Sequence, residues 1–88
     1  MIDRSLMVTL LTVLNERRDV QGGTEQNQLF NELNLRALQP VTTSLLLEHL
    51  NYAGDKQWVA WHPDALREKR YNLTDAGRNA LRELRDNN

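Results

Sequence analysis

Hydrophobic residues recur at spacings of three and four near the start of the chain, which predicts a helix over residues 3–18. Its stripe consists of Ile2, Leu6, Leu10, Val13 and Leu14, widened by Met7, Val8 and Leu11. Asp3 suits the positive end of the helix dipole, and Arg17 and Arg18 suit its negative end. Because this helix is apolar over much of its circumference, we expect it at the centre of the core. A dimer contact is the second use we consider for it.

Two further helices are indicated after residues 21–23 break this pattern. Thr24 is the expected N-cap of a short helix over residues 25–33, which Asn34 ends. Residues 35–40 form a connector, and Pro40 disfavours a helical conformation at the residue before it. A third helix is predicted over residues 41–53 and ends at Gly54 in the manner of a glycine C-terminus.

The third helix has two contrasting faces when its residues are placed at 100° intervals. The inner arc holds Leu46, Leu47, Leu50 and Ala53, with Thr43 between them. The outer arc holds Val41, Ser44, Leu45, Glu48, Asn51 and Tyr52. The apolar members of the outer arc are either a protein-binding patch or are covered by the first helix or a loop, and we expect them to be covered.

The last third of the chain predicts a hairpin followed by a helix. Residues 57–61 are aromatic and β-branched and predict a strand, residues 62–66 a turn, and residues 68–73 the returning strand. Thr74 then caps a helix over residues 75–85, whose inner side carries Ala76, Ala80, Leu81 and Leu84. We expect a frayed tail at residues 86–88. Of the two tryptophans, Trp58 and Trp61, we expect one in the core and the other exposed as a candidate partner anchor.

Length and composition limit the function classes. The chain has 88 residues, with 40% hydrophobic and 26% charged residues, which predicts one domain over residues 1–88. The apolar stretch of the first helix is too short to span a bilayer and lacks the features of a signal peptide. We therefore expect a cytoplasmic protein without membrane contact.

Chemistry-bearing motifs are scarce. Cysteine is absent and His49 and His62 are the only histidines, so we expect no metal site. Gly22-Gly23 lacks the residues of a phosphate-binding loop. His62 and Asp64 are better explained as a turn pair than as a catalytic pair. We therefore expect no cofactor, no catalytic residue and no enzymatic activity.

Two segments together carry a family resemblance. The first is Leu47-x-x-Leu50-x-x-x-Gly54 followed by Trp58-Val59, and the second is Tyr71-x-Leu73-Thr74-x-x-Gly77-x-x-x-Leu81. Their order and spacing resemble the winged-helix repressors of the multiple-antibiotic-resistance and phenolic-acid-response types, over residues 24–85. The glycine at position 77 also indicates that the last helix closely approaches another element, since glycine lowers helix propensity.

The resemblance implies an α+β winged helix-turn-helix fold, with three helices, a two-stranded wing hairpin and a C-terminal helix. It also implies a DNA-binding transcriptional regulator of bacterial or phage type, whose third helix enters the major groove of double-stranded DNA and whose wing lies on the phosphate backbone. The contacts that it implies from the helices are Arg36, Thr42, Thr43, Ser44, Glu48 and His49. Those that it implies from the wing are Arg67, Lys69 and Arg70. A homodimer is a further expectation, because related regulators pair through an additional N-terminal helix.

The charge distribution departs from this family pattern. Lys and Arg total 11 against 12 Asp and Glu, a formal net charge of −1. Residues 41–53 contain no Lys or Arg, and residues 24–55 hold one arginine against four acids. Phosphate neutralisation supplies much of the affinity of most DNA-binding proteins, so the wing or a dimer must provide it. The alternatives are that the wing cations form a solvated face screened by Glu68, and that the domain is a winged-helix protein–protein interaction module that binds no DNA.

Overall fold

The chain folds around its first helix, against which the second and last helices and one strand of the sheet pack. The computed structural model describes residues 2–20 and 22–86. Its elements in chain order are α1 (Arg4–Glu16), β1 (Thr24–Glu25), α2 (Gln26–Arg36), α3 (Thr43–Asp55), β2 (Val59–Pro63), β3 (Lys69–Leu73) and α4 (Asp75–Asp86). The predicted α+β class and the order of the helices and hairpin strands are confirmed.

The first helix occupies the centre of the core, as its pattern indicates. Asp3 is its N-cap, and its side chain accepts a hydrogen bond of 3.1 Å from the Leu6 backbone N–H. This bond satisfies one of the donors that every helix start leaves open. Leu10 and Leu11 are fully buried, and both α2 and α4 contact α1. The apolar circumference of α1 is thus covered largely by the chain's own helices.

The start of the second helix differs from the prediction. Thr24 does not cap α2 but lies buried in the two-residue strand β1. Glu25 is the N-cap, and its backbone N–H donates to the Gln28 side chain over 3.2 Å. Local capping preference had suggested threonine, but pairing of β1 with β3 takes Thr24 into the sheet. Gly23 precedes this strand and adopts a left-handed conformation at φ +86°. A Cβ atom at this position would lie 3.0 Å from the Tyr71 carbonyl oxygen and from the Asn72 side chain.

Asn34 does not end α2, which continues to Arg36. Its side chain instead clamps the connector to α3: Asn34 Oδ1 accepts from the Val41 N–H over 2.8 Å, and Asn34 Nδ2 donates to the Val41 carbonyl over 3.2 Å. Val41 is buried by this clamp. The two bonds satisfy the backbone N–H and carbonyl of Val41, which lies outside any helix or strand.

The third helix has Thr42 as its N-cap, and it both begins and ends later than predicted. The Thr42 hydroxyl accepts from the Leu45 N–H over 3.1 Å. Gly54 is not the terminator, because the helix continues through Asp55 and the left-handed residue is Gln57, at φ 63°. Of the outer arc, Leu45 packs against the core and Tyr52 makes an edge-to-face contact with Trp58. The expectation that this arc is covered therefore holds for Val41 and Leu45.

The hairpin belongs to a three-stranded antiparallel sheet in the order β1-β3-β2. In its register Val59 faces Leu73 and Trp61 faces Tyr71. Val59 and Tyr71 are buried, whereas Trp61, which lies opposite Tyr71 on the edge strand β2, is 53% exposed. Trp58 packs against the core cluster, so the division of the two tryptophans between core and surface is confirmed.

The last helix is anchored by its cap and its first turn. The Thr74 hydroxyl accepts from the Gly77 N–H over 2.9 Å, which confirms the predicted cap. Gly77 lies against the Trp58 carbonyl and the Leu73 side chain, as its glycine suggested. Ala80 and Leu81 are buried, whereas Ala76, predicted to face inward, is exposed. Asp86 is the last helical residue rather than part of a tail, and Asn87 and Asn88 lie outside the described residues, as does Gln21.

In the described part of the chain, no helix is both long enough and apolar enough to cross a membrane.

Candidate nucleic-acid interface

The start of α3 presents hydroxyl groups to solvent. Thr42, Thr43 and Ser44 are all exposed. The Asn34 clamp on Val41 sets the turn immediately before them, so the three residues lie at a defined position. Hydroxyls can both donate to phosphate oxygens and exchange hydrogen bonds with base edges. The first turn of α3 is therefore suited to a polar, anionic partner.

Farther along α3 the predicted contact residues separate. Glu48 is exposed, on the same side of the helix as Ser44. His49 is fully buried, because its ring packs under the N-terminus of α1. A DNA contact by His49 does not fit this burial. Its ring instead accepts a hydrogen bond from the Asp3 backbone and so connects the start of α1 to α3.

The wing turn is organised by one carboxylate. Asp64 Oδ1 accepts from the Leu66 N–H over 2.8 Å and from the Glu68 N–H over 3.0 Å. These backbone bonds hold the pKa of Asp64 below its ordinary value, with a smaller contribution from Arg70 and against some opposing desolvation. Arg67 adopts a left-handed conformation at φ 64° within this turn. Asp64 thereby fixes the shape of the wing tip.

Two wing cations are exposed at the tip. Arg67 and Lys69 are both exposed, and neither forms an ion pair within residues 2–20 and 22–86. The Lys69 ammonium lies 4.7 Å from the centroid of the Trp61 ring. This cation–π contact keeps the charge on the exposed wing without neutralising it. The two side chains are available to an anionic partner.

The third predicted wing cation is engaged by acids. Arg70 Nη2 lies 2.7 Å from Glu25 Oε1, and Arg70 Nε lies 3.2 Å from Asp64 Oδ2. The side chain is only 26% exposed. Its guanidinium joins β1 to the wing turn and is neutralised there, so the predicted phosphate contact of Arg70 does not fit the structure. The sequence did not reveal this because β1, which carries Glu25, was not predicted.

Arg36 is likewise an ion-pair residue. Its guanidinium binds Glu16 through two hydrogen bonds of 2.6 and 3.1 Å and lies 3.2 Å from Glu32. The bond to Arg36 lowers the pKa of Glu16, and the same bond raises the pKa of Arg36. Arg36 therefore ties the end of α2 to the end of α1. The predicted DNA contact of Arg36 does not fit this arrangement.

Sequence reasoning placed Asp64 only in a turn and missed its part in organising the wing. Its carboxylate accepts from residues two and four positions later, and its partner Arg70 lies six positions later. An Asp at the first position of a turn, followed by an arginine on the returning strand, is the signal that could have identified it.

We expect Asp64→Asn to loosen the wing tip. The neutral amide keeps one acceptor oxygen but loses the charge that strengthens both backbone bonds and the Arg70 contact. The amides of Leu66 and Glu68 should lose several-fold in hydrogen-exchange protection. The matched control is Glu68→Gln, which removes an exposed acid of the same turn and should leave protection unchanged.

The same carboxylate makes the wing acid-sensitive. Because the folded-state pKa of Asp64 is depressed, its stabilising contribution is present above its unfolded-state pKa and is lost as pH falls through the lower folded-state value. Protection of these amides in the wild-type protein should fall below about pH 4, and the Asp64→Asn variant should lack this step. An identical pH profile in both proteins would contradict the assignment.

The sequence matches no protein-family model and no curated protein, but the structure matches solved ones. A PadR-family transcription regulator from Clostridium difficile R20291 superposes with a TM-score of 0.79 at 14% identity, over 93% of this chain and 84% of that one. The winged-helix DNA-binding protein F93 from STIV gives 0.72 at 17% identity, over 98% and 89%. A mutant of MepR from S. aureus, bound to an oligodeoxyribonucleotide, gives 0.73 at 19% identity, over 92% and 54%. The chain has the winged-helix fold.

The chain spans about half the length of two of these structural relatives, covering 54% of the MepR chain and 49% of a MarR-family regulator from Silicibacter pomeroyi. Nearly the whole length of F93 and most of the PadR-family chain are matched.

Proposed function

We propose that this protein is a DNA-binding transcriptional regulator of bacterial or phage type, cytoplasmic and without enzymatic activity, built as a single winged-helix domain over residues 1–88. It would place α3 in the major groove of double-stranded DNA and its wing on the phosphate backbone. The observation that carries this proposal is the combination of exposed hydroxyls at the start of α3 with two exposed wing cations that form no ion pair among the described residues. Structural relatives named as transcription regulators, and a MepR structure bound to an oligodeoxyribonucleotide, support it.

The groups for groove contact are Thr43, Ser44 and Glu48, together with Thr42 at the cap. Hydroxyls contact phosphate or base edges, and a glutamate accepts a hydrogen bond from the amino group of cytosine. Since α3 holds no Lys or Arg, it contributes more to sequence discrimination than to attraction. Attraction then depends on Arg67 and Lys69.

A homodimer belongs to this proposal for a physical reason. One protomer brings two exposed wing cations without an acidic partner in the described residues. Two protomers on adjacent half-sites would double this number and link two weak contacts into one binding event.

The wing double variant Arg67→Gln/Lys69→Gln tests the proposal. Two fewer phosphate contacts should weaken binding of a mixed-sequence duplex at low salt by about tenfold and reduce the slope of log affinity against log salt by about 1.8. Fluorescence anisotropy at several salt concentrations measures both. The matched control is Arg18→Gln/Arg82→Gln, which removes the same charge from the surface between α1 and α4 and should leave duplex binding nearly unchanged. Equal losses in the two variants, or no duplex binding by the folded wild-type protein, would contradict the proposal.

The second candidate function is a protein-interaction module, and exposed apolar residues favour it. Leu35 is 79% exposed in the last turn of α2, and Leu38 is fully exposed on the segment between α2 and α3. Leu66 is 82% exposed at the wing tip, on the same hairpin as the exposed Trp61. Exposed aliphatic and aromatic side chains are typical anchors of protein interfaces. If the folded protein showed no binding to duplex DNA at low salt, this second function would be favoured.

A further inference from the structure

The strand β2 lies at an edge of the sheet. The strand order β1-β3-β2 leaves one side of β2 without a neighbouring strand. The opposite edge strand, β1, has two residues, whereas β2 has five, Val59–Pro63. Residues 60–63 are all exposed, so the described part of the chain leaves most of this edge open to solvent. An open edge presents backbone N–H and carbonyl groups with which another strand can pair.

The ladder with β3 determines which backbone groups of β2 point outward. The Trp58 carbonyl accepts a hydrogen bond from the N–H of residue 74, and the Asp64 N–H donates to the carbonyl of residue 68, both over 2.9 Å. Hydrogen-bonded pairs alternate along an antiparallel ladder with pairs that exchange no hydrogen bond. Residues 60 and 62 are therefore bonded to β3. The N–H and carbonyl groups of Val59 and Trp61 point away from it, toward the open side.

This edge lacks the charges that usually protect an edge strand. Residues 57–63 contain no Lys, Arg, Asp or Glu. Natural edge strands avoid pairing with other chains through charged side chains, proline or bulges. In β2 the proline is Pro63, at the end of the strand, which leaves Val59–Trp61 unprotected. Trp61 also exposes 53% of its surface. The first part of the edge is therefore suited to a strand without net charge.

The edge is complementary to a second copy of itself in one antiparallel register. With Ala60 opposite Ala60 of the second copy on a two-fold axis, Val59 of each copy lies opposite Trp61 of the other. Each of these two pairs exchanges two hydrogen bonds, so every outward backbone group of Val59 and Trp61 is bonded. A register centred on Trp61 would instead set Val59 against Pro63, which has no N–H to donate.

The side chains fit the same register. Residues in a pair without hydrogen bonds approach to about 4.5 Å between Cα atoms, and the small Ala60 permits this approach at the axis. Trp61 opposite Val59 is an aromatic residue against a β-branched one, which is a favourable cross-strand pair. Continued past the strand ends, the register sets Asp64 against Lys56 of the second copy, so the flanking charges are opposite.

We propose that β2 is the interface of a homodimer, in which two copies pair their β2 strands antiparallel around Ala60 and join their three-stranded sheets into one. The proposal deepens the homodimer of the proposed function and rests on that part of it alone. Arg67 lies in the wing turn and Lys69 on β3, so both cations lie off the paired edge. One strand pair is a small interface, in the class under about 1,200 Å², and we expect a reversible dimer with a Kd of about 10–100 μM.

Charged substitutions at the two-fold axis test the pairing. Ala60 is exposed, so Ala60→Glu and Ala60→Lys should both fold, but each sets two like charges directly opposite each other. Sedimentation equilibrium should show that each variant alone dimerises at least tenfold more weakly than the wild type. An equimolar mixture of the two should dimerise at least as tightly as the wild type, because opposite charges then meet at the axis. The matched control Ala76→Glu makes the same change at an exposed position of α4 and should dimerise as the wild type does.

Hydrogen exchange reports the same contact in the unmodified protein. The amides of Val59 and Trp61 should exchange several-fold more slowly when the protein concentration is raised from well below to well above the Kd, because the dimer supplies their acceptors. The amides of Ala60 and His62 donate to β3 in each copy and should change little. This alternation along one strand distinguishes edge pairing from a general effect of concentration.

Three results would overturn the proposal. A protein that stays monomeric at concentrations tenfold above the expected Kd would show that the edge does not pair. An Ala60→Glu protein that dimerises as tightly as the wild type would place the interface elsewhere. A mixture of the two Ala60 variants that associates no more tightly than either alone would exclude the register around Ala60. These measurements contain no DNA, so their failure is distinguishable from a failure of duplex binding, which the wing double variant tests.

Discussion

Gly77→Ala is expected to lower the free energy of unfolding by roughly 1–3 kcal/mol, although alanine is the better helix former. A Cβ atom at this position would overlap the Trp58 carbonyl and lie 2.6 Å from a methyl carbon of Leu73. The carbonyl belongs to the backbone and also accepts hydrogen bonds from the backbone and hydroxyl of Thr74. The new methyl group can be accommodated only if α4 moves away from the end of α3 and the start of the hairpin.

Gly54→Ala is the matched control, because it makes the same chemical change in another helix. No atom lies within 4 Å of the Cβ position at Gly54, and its φ is not in the left-handed region. We therefore expect stabilisation of about 0.5–1 kcal/mol from reduced backbone entropy of the unfolded chain. Urea unfolding of both variants measures the difference. A Gly77→Ala protein at least as stable as the wild type would show that α4 does not pack as the structure has it.

These two glycines illustrate how far sequence reasoning reaches. The close approach at Gly77 could be inferred because glycine inside an amphipathic helix carries a cost that needs a reason. Gly54 led to the wrong inference, since a glycine near a helix end resembles a terminator. Here the helix passes through it, and Gln57 adopts the left-handed conformation instead. Local preference cannot distinguish these cases, because the end of α3 is set by the contact of Trp58 with α4 and the core.

For the candidate nucleic-acid interface, the sequence indicated part of the polar surface at the start of α3. It did not indicate the ion pairs that Arg36 and Arg70 form. The exposure of Ser44 follows from helix periodicity, whereas Thr43, which the same periodicity placed on the inner arc, is exposed at the first position of α3. The pairing of Arg70 with Glu25 depends on a two-residue strand joined to β3, and that of Arg36 with Glu16 depends on how α1 and α2 pack. Both are contacts between residues distant in sequence, which periodicity does not encode. Of the four cations that the resemblance implied as contacts, Arg36 and Arg70 are therefore paired with acids, and Arg67 and Lys69 form no ion pair among the described residues.

His49→Ala is expected to destabilise the protein by roughly 2–4 kcal/mol, the largest effect that we expect at a polar residue. The Asp3 N–H donates to His49 Nε2 over 2.9 Å, and His49 Nδ1 lies 2.8 Å from the Leu45 carbonyl. Since Nε2 accepts, the proton is on Nδ1, and the neutral ring uses both nitrogens. Truncation leaves a cavity and removes the acceptor that holds the start of α1 to α3.

Two comparisons separate these contributions. His49→Leu fills most of the space but cannot accept a hydrogen bond from the Asp3 N–H. We therefore expect it to lower the free energy of unfolding, but by less than His49→Ala does. His62→Ala removes an exposed histidine on the hairpin and should change stability by less than about 0.5 kcal/mol. Chemical denaturation gives the three free energies, and hydrogen exchange at the Asp3 and Leu6 amides reports whether the start of α1 loosens first. If His49→Ala were as mild as His62→Ala, the ring would not be the tie between these helices. The position of α3 would then depend on its apolar packing, above all through Leu46, Leu50 and Ala53.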